Sequence, residues 1–134
     1  MKKIILLVAA IFLQQAVQAQ KYMTRTAQVS FFSTTAVENI EAINNEVASV
    51  FDAATGELVF IVPIKSFKFD RALMQEHFNE NYVESDKFPN STLKGKVINA
   101  KDIDFSKDGT YESEIEGELT IHGITKNIKE KGTF

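Results

Sequence analysis

The chain has 134 residues, no cysteine and no tryptophan, and it carries 15 basic against 18 acidic side chains for a formal charge of −3. An acidic balance argues against nucleic acid as a partner, because phosphate backbones are held by basic patches. Without cysteine there is no disulfide framework, no thiolate metal site and no lipid carried on an N-terminal cysteine.

In chain order, the first segment has three zones: basic Lys2 and Lys3, an apolar run from Ile4 to Leu13, and a polar stretch ending in Val17-Gln18-Ala19. This is the layout of a secretory signal peptide, cut here between Ala19 and Gln20. The apolar run is too short to span a hydrocarbon core, which takes about 20 helical residues. The sequence therefore predicts residues 1–19 as a signal peptide, residues 20–134 as one domain, a periplasmic or secreted location, and no membrane span in the mature chain. Removing Lys2 and Lys3 leaves 13 basic and 18 acidic side chains, so the mature chain is the more acidic form.

Tyr22 to Phe32 is rich in Thr, Val and aromatics and lacks Gly and Pro, which predicts a strand. Val37, Ile40, Ile43, Val47 and Val50 recur at near-helical spacing, yet Asn44-Asn45 interrupts them where a hairpin turn would sit. Periodicity alone leaves a helix and two short strands both open here, and the turn preference of Asn favours the strands. After a turn at residues 52–56, Leu58, Phe60, Val62 and Ile64 share one strand face, while Val59 and Ile61 make the other apolar too. Such a strand is covered on both faces or faces a cavity on one. Beyond Ser66 the large residues change phase to Phe67 and Phe69, which predicts a bulge or bend.

Asp70 is placed to cap a helix in which Leu73, Met74, His77 and Phe78 form one stripe. Pro89 ends the polar connection that follows. Thr92 to Ala100 reads as a strand with Leu93, Gly95 and Val97 on one face. After a turn at residues 107–109 comes the clearest alternation of the chain. Tyr111, Ser113, Ile115, Gly117, Leu119 and Ile121 lie on one side, and Glu112, Glu114, Glu116 and Glu118 on the other. His122-Gly123 makes a second turn, and Thr125 to Phe134 a last strand.

Chemistry-bearing motifs are absent from this pattern: there is no Gly-rich phosphate loop, no His-Glu-x-x-His and no Gly-x-Ser-x-Gly. The four glutamates line one solvated strand face rather than converging on a cation. The two histidines, His77 and His122, are too few and too far apart for zinc, and they read as a helix-border residue and a turn residue. The sequence thus nominates no catalytic residue, no metal ligand and no cofactor, and predicts a protein that is not an enzyme. What stands out is ten phenylalanines in the mature chain.

Several segments in order resemble the YceI-like family of exported lipid- or polyisoprenoid-binding proteins. They are Val29-Ser30-Phe31-Phe32-Ser33, Phe67-Lys68-Phe69 leading into Leu73-Met74-Gln75-Glu76-His77-Phe78, Tyr82 to Pro89, Gly95, and Gly117-Glu118-Leu119-Thr120-Ile121-His122-Gly123-Ile124-Thr125-Lys126. The resemblance implies an all-β fold with one short helix: an antiparallel, lipocalin-like β-barrel, with Val37 to Phe51 as two strands turning at Asn44-Asn45. It implies an apolar chain-like ligand in the interior, such as an isoprenoid, a quinone or another lipid. The face-sharing residues Leu58, Phe60, Val62, Ile64, Leu93, Val97, Ile115, Leu119 and Ile121 would then line the ligand, with Leu73, Met74 and Phe78 closing one mouth. The chain departs from the family pattern by ending at Phe134, before the closing strands, so the barrel is expected to be left open. The alternative is a non-enzymatic structural or stress-related periplasmic domain with a filled core, since a small barrel has an interior that side chains alone can fill.

Overall fold

A computed structural model describes residues 20–134; the signal-peptide reading of residues 1–19 lies outside the described residues. The strands are β1 (Lys21–Thr34), β2 (Asn39–Asp52), β3 (Glu57–Pro63), β4 (Lys68–Phe69), β5 (Asn90–Val97), β6 (Glu112–Ile121) and β7 (Ile124–Thr133). Between β4 and β5 lies the helix α1 (Ala72–His77), prolonged by a π-helical turn over Phe78–Tyr82. The strands pair antiparallel in the order β1-β2-β3-β5-β6-β7, and β4 also pairs with β2. The sheet curls into a half-barrel whose edge strands, β1 and β7, do not pair with each other, as the open-barrel reading expects.

The segment from Val37 to Phe51 corrects the expected turn at Asn44-Asn45. β2 runs through both asparagines as one strand, and the register with β1 slips there instead. Between Ala27 and Val29 on β1, the partner strand advances from Val47 to Asn44, which is a β-bulge in β2. A second slip between Thr24 and Ala27 puts an extra residue on β1 and restores the pairing. Asn44 is fully buried, with its Nδ2 donating to the Pro63 carbonyl (2.7 Å) and its Oδ1 accepting from the Glu46 N–H (2.9 Å). Its amide replaces ladder bonds that the bulge and the end of β3 leave unmade, which is what a buried polar side chain requires.

The expected bend is present as a 3₁₀ turn over Ile64–Ser66, which separates β3 from β4, both running along β2. Asp70 does not cap the helix. Arg71 holds the N-cap position with no side-chain bond, and the Gln75 side chain instead reaches back to accept from the Phe69 N–H (3.3 Å).

The backbones of β5 and β6 approach most closely at a pair of glycines. Gly95 and Gly117 are register partners, and a Cβ on Gly117 would lie 2.6 Å from the Gly95 Cα and 2.5 Å from the Lys94 carbonyl oxygen. Only paired glycines allow the backbones to approach so closely on the concave side. On the convex side the carboxylate row is solvated, as expected, and Lys129 on β7 reaches both Glu114 and Glu116 at 3.0 Å.

Two separate apolar clusters fill the half-barrel, one at each end. At the far end, Leu58, Val97 and Ile103 are buried, and Phe51, Phe60, Leu93, Phe105, Tyr111 and Ile115 pack around them. Phe134 joins them, its ring 5.1 Å from that of Phe51 on β2 and 5.7 Å from Phe105. The end of β7 therefore leans across the open side instead of standing free. At the cap end, Ala42, Ile64 and Phe67 are buried beneath Phe31, Phe69, Phe78 and Val83.

Candidate functional site

The cap-end cluster is built from phenylalanines that reach it from four different elements. Phe31 comes from the inner face of β1, Phe67 from the bend, Phe69 from β4 and Phe78 from the helical segment. Phe31 and Phe78 each meet the other three rings; Phe78 lies 5.5 Å from Phe31, 4.9 Å from Phe69 and 5.8 Å from Phe67 between ring centroids. The mix of stacked and edge-on rings suits the aromatic quadrupole. Asn79 Nδ2 donates to the Gln75 carbonyl (2.8 Å) within the same segment.

The helix does not lie flat on this cluster. Between it and the strands runs an apolar cleft of about 550 Å³, with Phe31 and Ile40 on the sheet side, Phe69 at its base, and Leu73, Met74 and Phe78 on the helix side. That size falls within the range of small-molecule sites. Its edge is polar: Arg71 forms an ion pair with Glu38, and His77 Nδ1 lies 2.9 Å from the Asn81 side-chain nitrogen. Leu73 is 63% exposed and Tyr82 74% exposed, so apolar side chains stand in water at the entrance.

Of the twelve residues nominated to line a ligand, Leu73, Met74 and Phe78 border this cleft. Leu58 and Val97 lie in the solid far-end cluster and Ile64 in the buried cap-end core. Phe60, Leu93 and Ile115 are half-buried against the far-end cluster, and Val62 against the cap-end one. Leu119 is half-buried and Ile121 exposed, both toward the end of β6. The structure thus divides the nominated set between two ends instead of gathering it around one cavity.

Sequence reasoning did not nominate Phe31, Ile40 or Phe69, which form the sheet side and base of the cleft. A signal for Phe69 was present in the phase change after Ser66. For Phe31 it was the alternation with Val29, which puts both on the face that meets the helix. Among the described residues, no group of three or more His, Cys, Asp or Glu is placed to hold a metal ion, and no helix is long and apolar enough to cross a membrane.

Comparison with known proteins supplies the remaining context. The family model described as YceI-like domain matches residues 16–134. Among solved structures, the chain is similar to a polyisoprenoid binding domain from Saccharophagus degradans implicated in plant cell wall breakdown. The TM-score is 0.70 at 13% identity, over 87% of this chain and 67% of that one. It is also similar to a YceI protein from Campylobacter jejuni, with a TM-score of 0.44 at 14% identity, over 87% of this chain and 56% of that one. The chain therefore spans little more than half the length of the Campylobacter protein. No curated protein sequence matches it.

Proposed function

The chain belongs to the YceI-like domain family, and from that premise we propose that it is a binding protein for an apolar, chain-like ligand of the isoprenoid, quinone or lipid class. The observation that carries this reading is the apolar cleft between the helix and the sheet, with Phe31, Ile40, Phe69, Leu73, Met74 and Phe78 around it. Each buried methylene contributes about 0.8 kcal/mol, so about ten of them, two to three isoprene units, reach the roughly 8 kcal/mol of micromolar binding before association costs. A site of this kind holds its ligand by shape and apolar area and needs no catalytic group.

We also propose that residues 1–19 direct export and are removed, leaving residues 20–134 as the binding domain in the periplasm or outside the cell. N-terminal sequencing of the exported protein reads the cleavage site directly. A start at Gln20 is the expected result, and a start at Met1 defeats the export proposal.

Native mass spectrometry of the protein purified from its own host, followed by lipid extraction, tests the binding reading. A retained species of isoprenoid or acyl mass is expected. A bare chain, under conditions where added menaquinone-4 also fails to associate, overturns it. The solid packing of Leu58, Val97 and Ile103 at the far end favours a second reading, in which the filled half is structural and the acidic surface makes the functional contacts. The bare-chain outcome supports that one.

A further inference from the structure

The last hairpin, β6–β7, pairs with the rest of the sheet through β5, and its tip is fastened to the connection that runs from the helical segment into β5. His122 Nε2 donates to Glu84 Oε2 at 2.7 Å, over a sequence separation of 38 residues. Lys87 Nζ holds the other carboxylate oxygen, Oε1, at 2.7 Å. Beside this bond the Phe88 ring meets the His122 ring edge to face at a centroid distance of 4.9 Å. The same ring packs on Gly123 so closely that a Cβ there would fall 2.6 Å from its Cε1.

The backbone marks this contact as unusual. Among the described residues, the only non-glycine residues at positive φ are Glu84 (45°) and His122 (52°), and they are the two partners of the bond. Left-handed backbone is disfavoured for a side-chain-bearing residue and persists where the surroundings over-determine it. For His122 the two-residue hairpin turn supplies a reason, since both His122 and Gly123 (71°) take positive φ, as the common tight turn of this kind requires. No strand register demands it of Glu84. Its conformation starts the return from the helical segment: the Lys87 and Phe88 N–H groups both donate to the Glu84 carbonyl at 2.9 Å, and its carboxylate is turned to the hairpin.

We propose that His122 and Glu84 are positioning residues for the cleft: their clasp ties the connection after the helical segment, itself bonded back to it by the Ser85 N–H on the Asn79 carbonyl (2.8 Å), to the tip of the β6–β7 hairpin, so that the segment lifts off the cleft only when the clasp opens. This rests on the reading of the cleft as the ligand site. Leu73, Met74 and Phe78 are on the helical segment that the clasped connection continues, and the sheet side of the cleft is on β1 and β2, so lifting the segment widens the cleft. None of Glu84, Lys87, Phe88 and His122 lines the cleft, so the clasp can form in empty and in filled protein alike. Opening it therefore changes the rates of entry and exit and leaves the affinity alone, the behaviour of a gate rather than of a binding contact.

The test uses the mature chain and three variants. His122→Asn keeps a residue tolerant of positive φ but is too short to reach Glu84, Glu84→Ala removes the acceptor, and Glu84→Gln retains an acceptor oxygen. Amide exchange is followed over residues 72–88 and 119–127. Uptake and release of menaquinone-4 against phosphatidylcholine vesicles are timed alongside. In His122→Asn and Glu84→Ala, exchange should rise in both segments together. Uptake and release should each quicken roughly tenfold, as loss of one charge-assisted hydrogen bond allows, with the dissociation constant within about twofold. Glu84→Gln, which keeps an acceptor but not its charge, should fall between wild type and Glu84→Ala, and the double variant His122→Asn/Glu84→Ala should go no further than either single one. If Glu84→Ala fails to fold, His122→Asn decides. Exchange rising in one segment alone, or unchanged rates in a folded variant, overturns the clasp as a gate. If wild-type protein takes up no menaquinone-4, the ligand reading fails for that class, and coupled exchange in the two segments still decides whether the clasp locks them together.

Discussion

The two ends of the half-barrel use the same residue type to opposite effect. At the far end, Phe51, Phe105 and Phe134 converge with Leu58, Val97 and Ile103, and the connection carrying Ile103 and Phe105 is pressed into the sheet as a plug. At the cap end, Phe31, Phe67, Phe69 and Phe78 make a comparable cluster, but the helical segment stands off far enough to leave an apolar cleft. The difference lies in what covers the aromatic cluster. The irregular connection packs Ile103 and Phe105 onto the sheet, and the hollow it borders with Gln20, Ala53 and Ala54, about 260 Å³, is smaller and more polar than the cap-end cleft. A helix is stiff, and where Phe78 fixes its distance from the sheet, its neighbouring turns cannot collapse into the remaining space.

The largest effects should come from the two buried anchors. Leu58→Ala at the far end and Phe67→Ala at the cap end should each lower the unfolding free energy by about 3 kcal/mol, measured by urea denaturation. Their consequences for ligand should then separate. Leu58→Ala leaves menaquinone-4 affinity intact in the folded fraction, whereas Phe67→Ala, which undercuts Phe31 and Phe78, weakens it. Equal losses would erase the distinction between plug and cleft.

Next in size is Gly117→Ala. The added Cβ meets the backbone of Lys94 and Gly95, which cannot swing away as a side-chain end would. A loss of about 2 kcal/mol in thermal unfolding is expected. The close approach of β5 and β6 here is what the glycine pair permits. A neutral result would show that the two strands can part here without cost.

A smaller, purely local change addresses the cleft. Leu73→Asp puts a charge at its exposed entrance. Stability should stay within about 0.5 kcal/mol of the parent, while titration should show menaquinone-4 binding weakened by roughly tenfold. Unchanged binding in the folded variant would show that ligand enters by another route.

The smallest effect is a pH dependence. Glu84 is held below the usual carboxylate range, first by the hydrogen bond from Lys87 and then by that from His122. Because the folded value is depressed, this contribution is present above the unfolded value of about 4.3 and is lost as the pH falls through the lower folded value. Wild type should therefore lose slightly more stability on acidification than Glu84→Gln, compared by denaturation at pH 6 and below pH 4. Lys129 gives the opposite sign at the other extreme. It is raised by hydrogen bonds first to Glu116 and then to Glu114, so its contribution is lost as the pH rises through its folded value. No difference between wild type and Glu84→Gln in acid would mean that the Glu84 pairs contribute nothing to the resting fold.

Local periodicity and turn chemistry determined much of this protein. Alternation placed Glu112, Glu114, Glu116 and Glu118 on the solvated face and Ile115, Gly117 and Leu119 opposite them. The phase change after Ser66 located the bend, and His122-Gly123 located the last turn. These features are set by neighbours two to four residues apart, so they are written in the sequence itself. Tertiary structure decided the rest. Asn44-Asn45 carries a turn signal, yet the strand runs on, because the Asn44 amide finds the Pro63 carbonyl 19 residues away and is satisfied without a turn. The alternation that selected Leu58 and Phe60 also selected Val62 and Ile64, which pack at the opposite end, and it carries no information about which end a distant connection will cover. That depends on Ile103, Phe105 and Phe134 arriving at one place, and on Phe78 propping the helix at the other. Burial is a property of all the elements that converge on a point, and a period of two records only which side of its own strand a residue takes.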